Sequence, residues 1–254
     1  MSAAAALVLL LASAEPRVVI DPGHGGKADG AIGPGGYKEK DFSLELAQKL
    51  AASLEKAGAK VMLTRDKDAT VALPERVAAA NKFHPDLLIS LHANSMPTRK
   101  MRAQNRGIET FFLSLSASGE DARHTADREN SEGVVAAGAG AAAQPSGDDP
   151  LSFILADLKR SEAHAGASRL AYAVHQKLIA QTRAEDRGVQ QAPLFVLTVD
   201  CPAVLLELGF LSHPEESAKL KDGEYQDTLV AAISEAVKGY LADTRKQDVR
   251  AHRE

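Results

Sequence analysis

Hydrophobic positions along the chain alternate between short continuous runs and longer stretches in which they recur every three or four residues. The short runs, each a predicted buried strand, span 17–21, 60–65, 86–93, 107–114, 194–198 and 203–209. The recurring stretches, each a predicted amphipathic helix, span 41–57, 74–83, 161–182 and 224–241. Strands that alternate with helices in this way predict an α/β domain with a largely parallel sheet of about six strands.

The N-terminus departs from this alternation. An apolar run at 7–11 (LVLLL) is followed by 12–14 (ASA), which matches the small-x-small cleavage pattern of secretory signals. We therefore predict a signal peptide over 1–14, and with it a periplasmic or extracellular location. Because no Lys or Arg precedes the run, an ordinary apolar N-terminus is the alternative. The run is too short for a spanning helix, and no later stretch is long and apolar enough, so no stable membrane span is expected.

A second departure lies in the middle of the chain. Residues 116–147 are polar and then rich in Ala and Gly, and apolar periodicity returns over 149–160, which predicts a short helix there. A structureless segment of this length is unusual inside a compact domain. The sequence thus predicts a flexible insertion at about 116–160, either a solvated loop or a mobile regulatory lid. The rest of 15–242 is predicted to be one domain, followed by a polar, frayed tail at 243–254.

Composition narrows the possible functions. The 254 residues carry a net charge of −4, which argues against a nucleic-acid-binding protein because such proteins present a basic surface. Trp is absent and aromatic residues make up 4% of the chain, so an extensive aromatic binding surface is not expected. The one cysteine, Cys201, excludes an intramolecular disulfide and a cysteine-rich zinc site.

Four reactive side chains fall where the predicted sheet would bring them together. His24 follows the first strand, His92 ends the third, Glu207 lies near the end of the last, and Glu39 precedes the first helix. Ligands of open α/β sheets gather at the carboxyl ends of the strands. Two imidazoles and one carboxylate form a known catalytic zinc set, and a second carboxylate can act as general base. The residues therefore predict a hydrolytic zinc site.

Each of these residues also has a simpler interpretation. A single histidine is more often a surface or core-edge residue than a ligand, and Glu39 sits in a Lys-Glu-Lys triplet that could be a solvated charge. The glycines around His24 could instead cradle a phosphate. They match neither dinucleotide-binding nor P-loop patterns, so this alternative is weak. Glu207, between Leu206 and Leu208, is hardest to explain as packing, because a buried unpaired carboxylate is costly.

The chain resembles the zinc-dependent N-acetylmuramoyl-L-alanine amidases of bacterial cell walls. The segments that carry the resemblance follow the family's order: 18–26 (VVIDPGHGG), 38–40 (KEK), 63–66 (LTRD), 88–94 (LISLHAN), 107–110 (GIET) and 205–212 (LLELGFLS). The resemblance implies a twisted six-stranded sheet flanked by helices. It also implies Zn²⁺ held by His24, Glu39 and His92, peptidoglycan as substrate, and Glu207 as the catalytic carboxylate.

The resemblance extends to the insertion. In cell-division members of the family, a helix at this place blocks the zinc site until an activator protein displaces it, and 128–130 (REN) and 153–158 (FILADL) look like parts of that segment. Glu129 and Glu132 are the candidate blocking carboxylates. Arg65 and Asn94 are possible substrate contacts, with bracing of the sheet as the alternative for Arg65. His213 stands where the family usually has Asn, and we expect it to change only a local helix cap.

Two alternatives to the amidase function stay open. One is a different zinc hydrolase acting on the cell wall, such as an endopeptidase or a sugar deacetylase. The other is a latent or non-catalytic protein that binds or regulates peptidoglycan on the same fold, because fold alone does not define activity.

Overall fold

The computed structural model describes residues 15–134 and 150–251, without side chains at 132–134, 150–160 and 248–251. The predicted signal peptide and the Ala/Gly-rich part of the insertion lie outside these residues. Within them, no helix is both long and apolar enough to cross a membrane.

The described residues form a single six-stranded sheet. Its strands are β1 (Arg17–Pro22), β2 (Lys60–Leu63), β3 (Leu87–Asn94), β4 (Ile108–Leu113), β5 (Asp186–Ala192) and β6 (Ala203–Phe210). They lie in the order β2-β1-β3-β6-β4-β5, and every neighbouring pair is parallel except β4 with β6. The predicted α/β fold with a mostly parallel six-stranded sheet is confirmed. Because β4 runs against β6, its start lies at the same edge as the ends of β1, β3 and β6.

Helices cover both faces of the sheet. In chain order the described helices are α1 (Glu39–Lys56), α2 (Leu73–Phe83), α3 (Arg99–Gln104), α4 (Glu120–Val134), α5 (Pro150–Thr182), α6 (Pro214–Lys221) and α7 (Gly223–Ala251). Side chains alternate along β1, so Val18 and Ile20 enter the core beneath α1, α5 and α7, while Val19 enters the core beneath α2 and α4. The sheet is thus buried on both faces, as a largely parallel sheet requires.

The structure differs from the sequence predictions in four places. The run at 194–198 is not a strand; it contains the 3₁₀ turn Phe195–Leu197, whose Val196 and Leu197 fill the smaller core. The missing strand is β5, a half-exposed edge strand of mostly polar residues, which hydrophobicity does not reveal. The tail predicted to fray from Asp243 instead continues α7 to Ala251. No Gly or Pro occurs at 243–254 to end the helix. The first part of the predicted flexible insertion is helical, in α4, whereas the short helix predicted over 149–160 is present as the start of α5.

A buried ion pair lies at the end of β1. Asp21 is 1% exposed, and its Oδ1 lies 2.9 Å from Arg76 Nη1. The hydroxyls of Thr64 and Ser90 donate to the two oxygens of the same carboxylate, at 2.5 and 2.7 Å. Burial by itself would raise the pKa of Asp21, but Arg76 and these hydrogen bonds lower it to about 2. The carboxylate is therefore charged in the folded protein above about pH 2.

Acid stability is expected to depend on Asp21. Because its folded pKa lies below the unfolded value of 3.8, its contribution is present above about pH 4 and is lost as pH falls towards 2. The contribution is worth roughly 2 kcal/mol. Urea unfolding of the wild type and Asp21→Asn between pH 7 and pH 2.5 should therefore show a stability difference that narrows below pH 4. A difference that stays constant with pH would contradict this.

Candidate metal centre

The loop after β1 presents His24 in an unusual backbone conformation. His24 has a φ of 61°, the left-handed region, which costs a non-glycine residue roughly 1–2 kcal/mol. Gly23 precedes it where a Cβ would stand 2.4 Å from Cε1 of the His92 ring. Only glycine therefore fits at position 23 without displacing His92. The strained turn aims the His24 imidazole across the sheet edge towards β3.

Glu39, the first residue of α1, is fully buried. Its Oε2 accepts a hydrogen bond from the backbone nitrogen of Ala31 at 2.8 Å, and its Oε1 accepts one from that of Ala93 at 3.0 Å. These two bonds fix the carboxylate between the glycine-rich loop and β3. The interpretation of Glu39 as a solvated charge is therefore wrong, although its neighbour Lys38 is partly exposed.

Four side chains converge at this edge of the sheet. His24 Nε2 lies 2.9 Å from Glu39 Oε1 and 3.4 Å from Glu129 Oε2. His92 Nδ1 lies 3.0 Å from Glu39 Oε1 and 2.8 Å from Glu129 Oε2. All four ligand atoms lie within 4.8 Å of one another, and all four residues are buried. Glu129 reaches the cluster from α4, the helix at the start of the insertion.

The donor set fits zinc. Zinc takes imidazole nitrogen and carboxylate oxygen at about 2.0–2.1 Å in a tetrahedron, which places neighbouring ligand atoms about 3.3 Å apart. Four of the six donor–donor distances run from 2.8 to 3.4 Å, and the whole set lies within 4.8 Å. His24, Glu39 and His92 could hold the metal as a three-ligand site. Glu129 would then stand in the position that a catalytic zinc site keeps open.

The electrostatics of the cluster favour a cation between its carboxylates. Burial would lower the pKa of His92, but Glu129 and Glu39 raise it to about 10. Burial would raise the pKa of Glu129, but His92 and Arg128 lower it to about 2. The pKa of Glu39 likewise falls well below its usual range, chiefly through His24 and against desolvation. A divalent cation would satisfy the same charge balance.

Glu207 lies beside this cluster on β6, directly opposite His92 of β3 in the sheet register. It is fully buried, and burial raises its pKa to about 8, against the opposing charge of Arg128. Arg128 Nη2 donates to Glu207 Oε1 at 2.8 Å. The other oxygen, Oε2, is buried and has no hydrogen-bond partner among the described residues. Such an oxygen is suited to accept a proton from a water molecule.

α4 covers the site through three consecutive residues. Besides Glu207, Arg128 bonds Asn94 Oδ1 at 2.9 Å and Glu129 Oε1 at 2.7 Å. Glu129 faces the two histidines. Asn130 bonds the backbone of Pro193 and Phe195, which anchors the helix to the domain. Glu132, the other predicted blocking carboxylate, lies outside the described side chains.

Arg65 is a predicted substrate contact with bracing as the alternative. Its guanidinium is buried and donates to the backbone oxygens of Pro22, Gly23 and Lys40, an arrangement that favours bracing. Asn94 lies at the site beneath α4, and its role stays a prediction. His213 caps α6, with Nδ1 accepting from the Glu216 backbone nitrogen at 3.4 Å, as expected.

Sequence reasoning missed Arg76 and assigned no role to Arg128. Arg76 follows Pro74 in the first turn of α2, where an arginine is usually solvated, and only its 4% exposure marks it as part of the site's framework. Only a weak sequence pattern indicates the helix α4. Its buried residues Ala122, Thr125, Ala126 and Glu129 recur at helical spacing among polar neighbours.

Comparison with known proteins agrees with this arrangement. A family model of N-acetylmuramoyl-L-alanine amidases matches residues 18–239. The chain belongs to this family. Amidase AmiA of Escherichia coli K12 is 33% identical over 226 residues, which are 88% of this chain and 75% of the relative. Amidase AmiC of E. coli O6:H1 is also 33% identical, over 89% of this chain. The chain spans only 53% of the length of that relative.

Solved amidases share the fold. AmiC2 of Nostoc punctiforme is 28% identical with a TM-score of 0.65, covering 91% of this chain and 99% of that one. An amidase from Clostridium difficile 630 is 27% identical with a TM-score of 0.67, covering 91% and 98%. The amidase family is a family of hydrolases, so the expected enzyme class is confirmed at that level.

Proposed function

We propose that the chain is a zinc-dependent amidase that cleaves the bond between the lactyl group of N-acetylmuramic acid and L-alanine in peptidoglycan. The observation that carries this proposal is the convergence of His24, Glu39 and His92 next to the buried carboxylate of Glu207. A metal site of three ligands beside a general base is the arrangement that amide hydrolysis needs. Family membership selects the muramoyl amide among the bonds that such a site can cleave.

The chain's own residues divide the reaction between them. His24, Glu39 and His92 hold the zinc ion, which when bound supplies Lewis acidity and lowers the pKa of water. Glu207 takes a proton from the attacking water through its free Oε2. The same carboxyl then gives this proton to the departing nitrogen of L-alanine, which leaves as a free amine. Burial raises the pKa of Glu207 to about 8, close to neutral pH, which suits a group that must first take up a proton and then release it.

We infer that the described arrangement is a latent form of this enzyme. Glu129 would take the fourth position around a bound metal and Arg128 pairs with Glu207, so α4 in this position would keep substrate from both groups. An activator protein that displaces α4 would open the site. Because peptidoglycan is the substrate, the chain would act in the cell envelope, periplasmic or extracellular, in wall remodelling or daughter-cell separation.

End-group analysis tests the proposed reaction. Purified residues 15–254 and a Glu129→Ala variant are incubated with isolated peptidoglycan, with zinc and with a chelator. The expected result is that Glu129→Ala releases new L-alanine amino termini, that the wild type releases far fewer, and that the chelator abolishes both. Other new peptide ends would indicate an endopeptidase, and released acetate a deacetylase. A folded, zinc-loaded Glu129→Ala protein that binds the polymer without producing new ends would favour the non-catalytic alternative.

Zinc content tests the ligand assignment directly. His24→Ala and His92→Ala are each expected to lose bound zinc on dialysis, since each removes one imidazole and leaves a single histidine with the carboxylates of Glu39 and Glu129, a weaker donor set for zinc. His124→Ala, an exposed histidine of α4, serves as the control and should retain one zinc per chain. Metal analysis after dialysis measures all three. Unchanged zinc in either ligand variant would reject the assignment.

A further inference from the structure

Two buried arginines hold the backbone of the loop that carries His24. Three consecutive carbonyls, those of Pro22, Gly23 and His24, each accept a hydrogen bond from a guanidinium. Arg65 donates to Pro22 at 3.0 Å and to Gly23 at 2.7 Å. Arg76 donates to Pro22 at 2.6 Å and to His24 at 2.5 Å. Arg65 and Arg76 are each only 4% exposed, so both guanidinium groups are buried against the loop.

Arg65 also ties this loop to the helix of Glu39. Its Nη2 donates to the carbonyl oxygen of Lys40 at 2.8 Å and to Ser43 Oγ at 2.9 Å, both in the first turns of α1. The Ser43 hydroxyl in turn donates to the Gly23 carbonyl at 2.8 Å. One guanidinium therefore sets the separation between the segment bearing His24 and the segment bearing Glu39.

Arg76 acts on the conformation of His24 itself. The carbonyl it holds belongs to the residue with the left-handed φ of 61°. A second nitrogen of Arg76 pairs with Asp21, whose carboxylate is fixed by Ser90 of β3, the strand that bears His92. Through Asp21, Arg76 thus connects the strained turn at His24 with β3, the strand that bears His92. Lysine, with one compact ammonium, cannot replace this planar fork of donors.

We propose that Arg65 and Arg76 are positioning residues that preorganise His24 and Glu39 for zinc. This inference rests on the proposed zinc site. Neither guanidinium bonds a ligand side chain; each acts through backbone carbonyls of the ligand segments. The consequence is specific: loss of either fork should weaken zinc binding by the folded protein, beyond any effect on stability. Outer partners of metal ligands typically contribute about 10- to 100-fold in metal affinity.

Arg17 provides a matched control at the other end of β1. It also donates to backbone carbonyls, those of Phe83 and His84, and stacks on the Phe83 ring. It lies five residues before the end of the strand, roughly 16 Å from the ligand loop. Arg17→Lys thus removes the same kind of guanidinium-to-carbonyl bond without touching a segment that bears a ligand.

The experiment compares Arg65→Lys, Arg76→Lys and Arg17→Lys in the full chain. Zinc Kd is measured by competition with a chelating indicator, and thermal unfolding of each metal-free protein reports stability. We expect Kd to rise about 10- to 100-fold for Arg65→Lys and Arg76→Lys and to stay unchanged for Arg17→Lys. A purely structural role predicts lower unfolding temperatures for all three with unchanged Kd, and would overturn the proposal.

Ser43→Ala keeps the proposal testable if an arginine variant does not fold. It removes the hydroxyl between Arg65 and the Gly23 carbonyl while leaving both arginines in place, so a smaller rise in Kd, up to about tenfold, is expected. A Kd equal to that of the wild type would then count against positioning. A wild-type chain that binds no zinc would instead contradict the proposed function, which separates the two failures.

Discussion

Replacing Glu129 with alanine is expected to raise peptidoglycan amidase activity by about 10- to 100-fold. The substitution removes the carboxylate whose Oε2 lies 2.8 Å from His92 and 3.4 Å from His24, in the position that catalysis needs for water. A contact worth roughly 1.4–2.8 kcal/mol shifts the balance between seated and displaced α4 by that factor. Release of L-alanine amino termini from isolated peptidoglycan measures the change.

Zinc content decides what the Glu129 result means. If Glu129 only blocks the site, His24, Glu39 and His92 still hold one zinc per chain in the variant. If the cluster is instead a closed structural site with four protein ligands, Glu129→Ala loses zinc and gains no activity. Glu120→Ala, an exposed residue of the same helix, is the control and should match the wild type in both measurements.

Local hydrophobicity predicted the sheet well wherever a strand is buried. β3 and β6 are buried along their whole length, and their apolar runs identify them directly. β5 is an edge strand of intermediate burial, so its polar residues carry no strand signal. The apolar run at 194–198 predicted a strand wrongly because burial of Val196 and Leu197 comes from packing, which does not require a pairing partner.

The site shows a different limit of prediction from the sequence. His24, Glu39, His92 and Glu207 could be selected from the sequence because strand ends of an α/β sheet share one edge. Glu129 and Arg128 could be linked to the site only through resemblance, since α4 follows β4 and its arrival over the cluster depends on tertiary contacts. Arg76 was missed, and Arg65 could not be assigned to substrate contact or to bracing, because a buried arginine that bonds backbone carbonyls has the same sequence signature as a solvated one.

Replacing Glu207 with glutamine in the Glu129→Ala background is expected to lower activity by about 10²- to 10⁴-fold, the range for loss of a general base. The background matters because the wild-type chain is proposed to be latent, and a loss cannot be measured without an open site. Glutamine keeps the shape of the side chain but cannot take up the proton that the water must lose. Zinc is expected to remain bound, because Glu207 is not among the clustered ligand atoms.

A matched carboxylate lies directly opposite Glu207 in the sheet. Glu109 of β4 is its antiparallel partner and is also buried, but its oxygens bond Asn94 and Arg187 and do not face the histidines. Glu109→Gln in the same background should therefore retain activity within about tenfold of the parent, since it removes one charge from the same edge without removing the base.

Equal losses in the two variants, with zinc retained, would mean that activity depends on the charge of this edge and that Glu207 has no special role in proton transfer. A loss confined to Glu207→Gln would assign the proton transfer to the one carboxylate whose second oxygen is buried without a hydrogen-bond partner among the described residues.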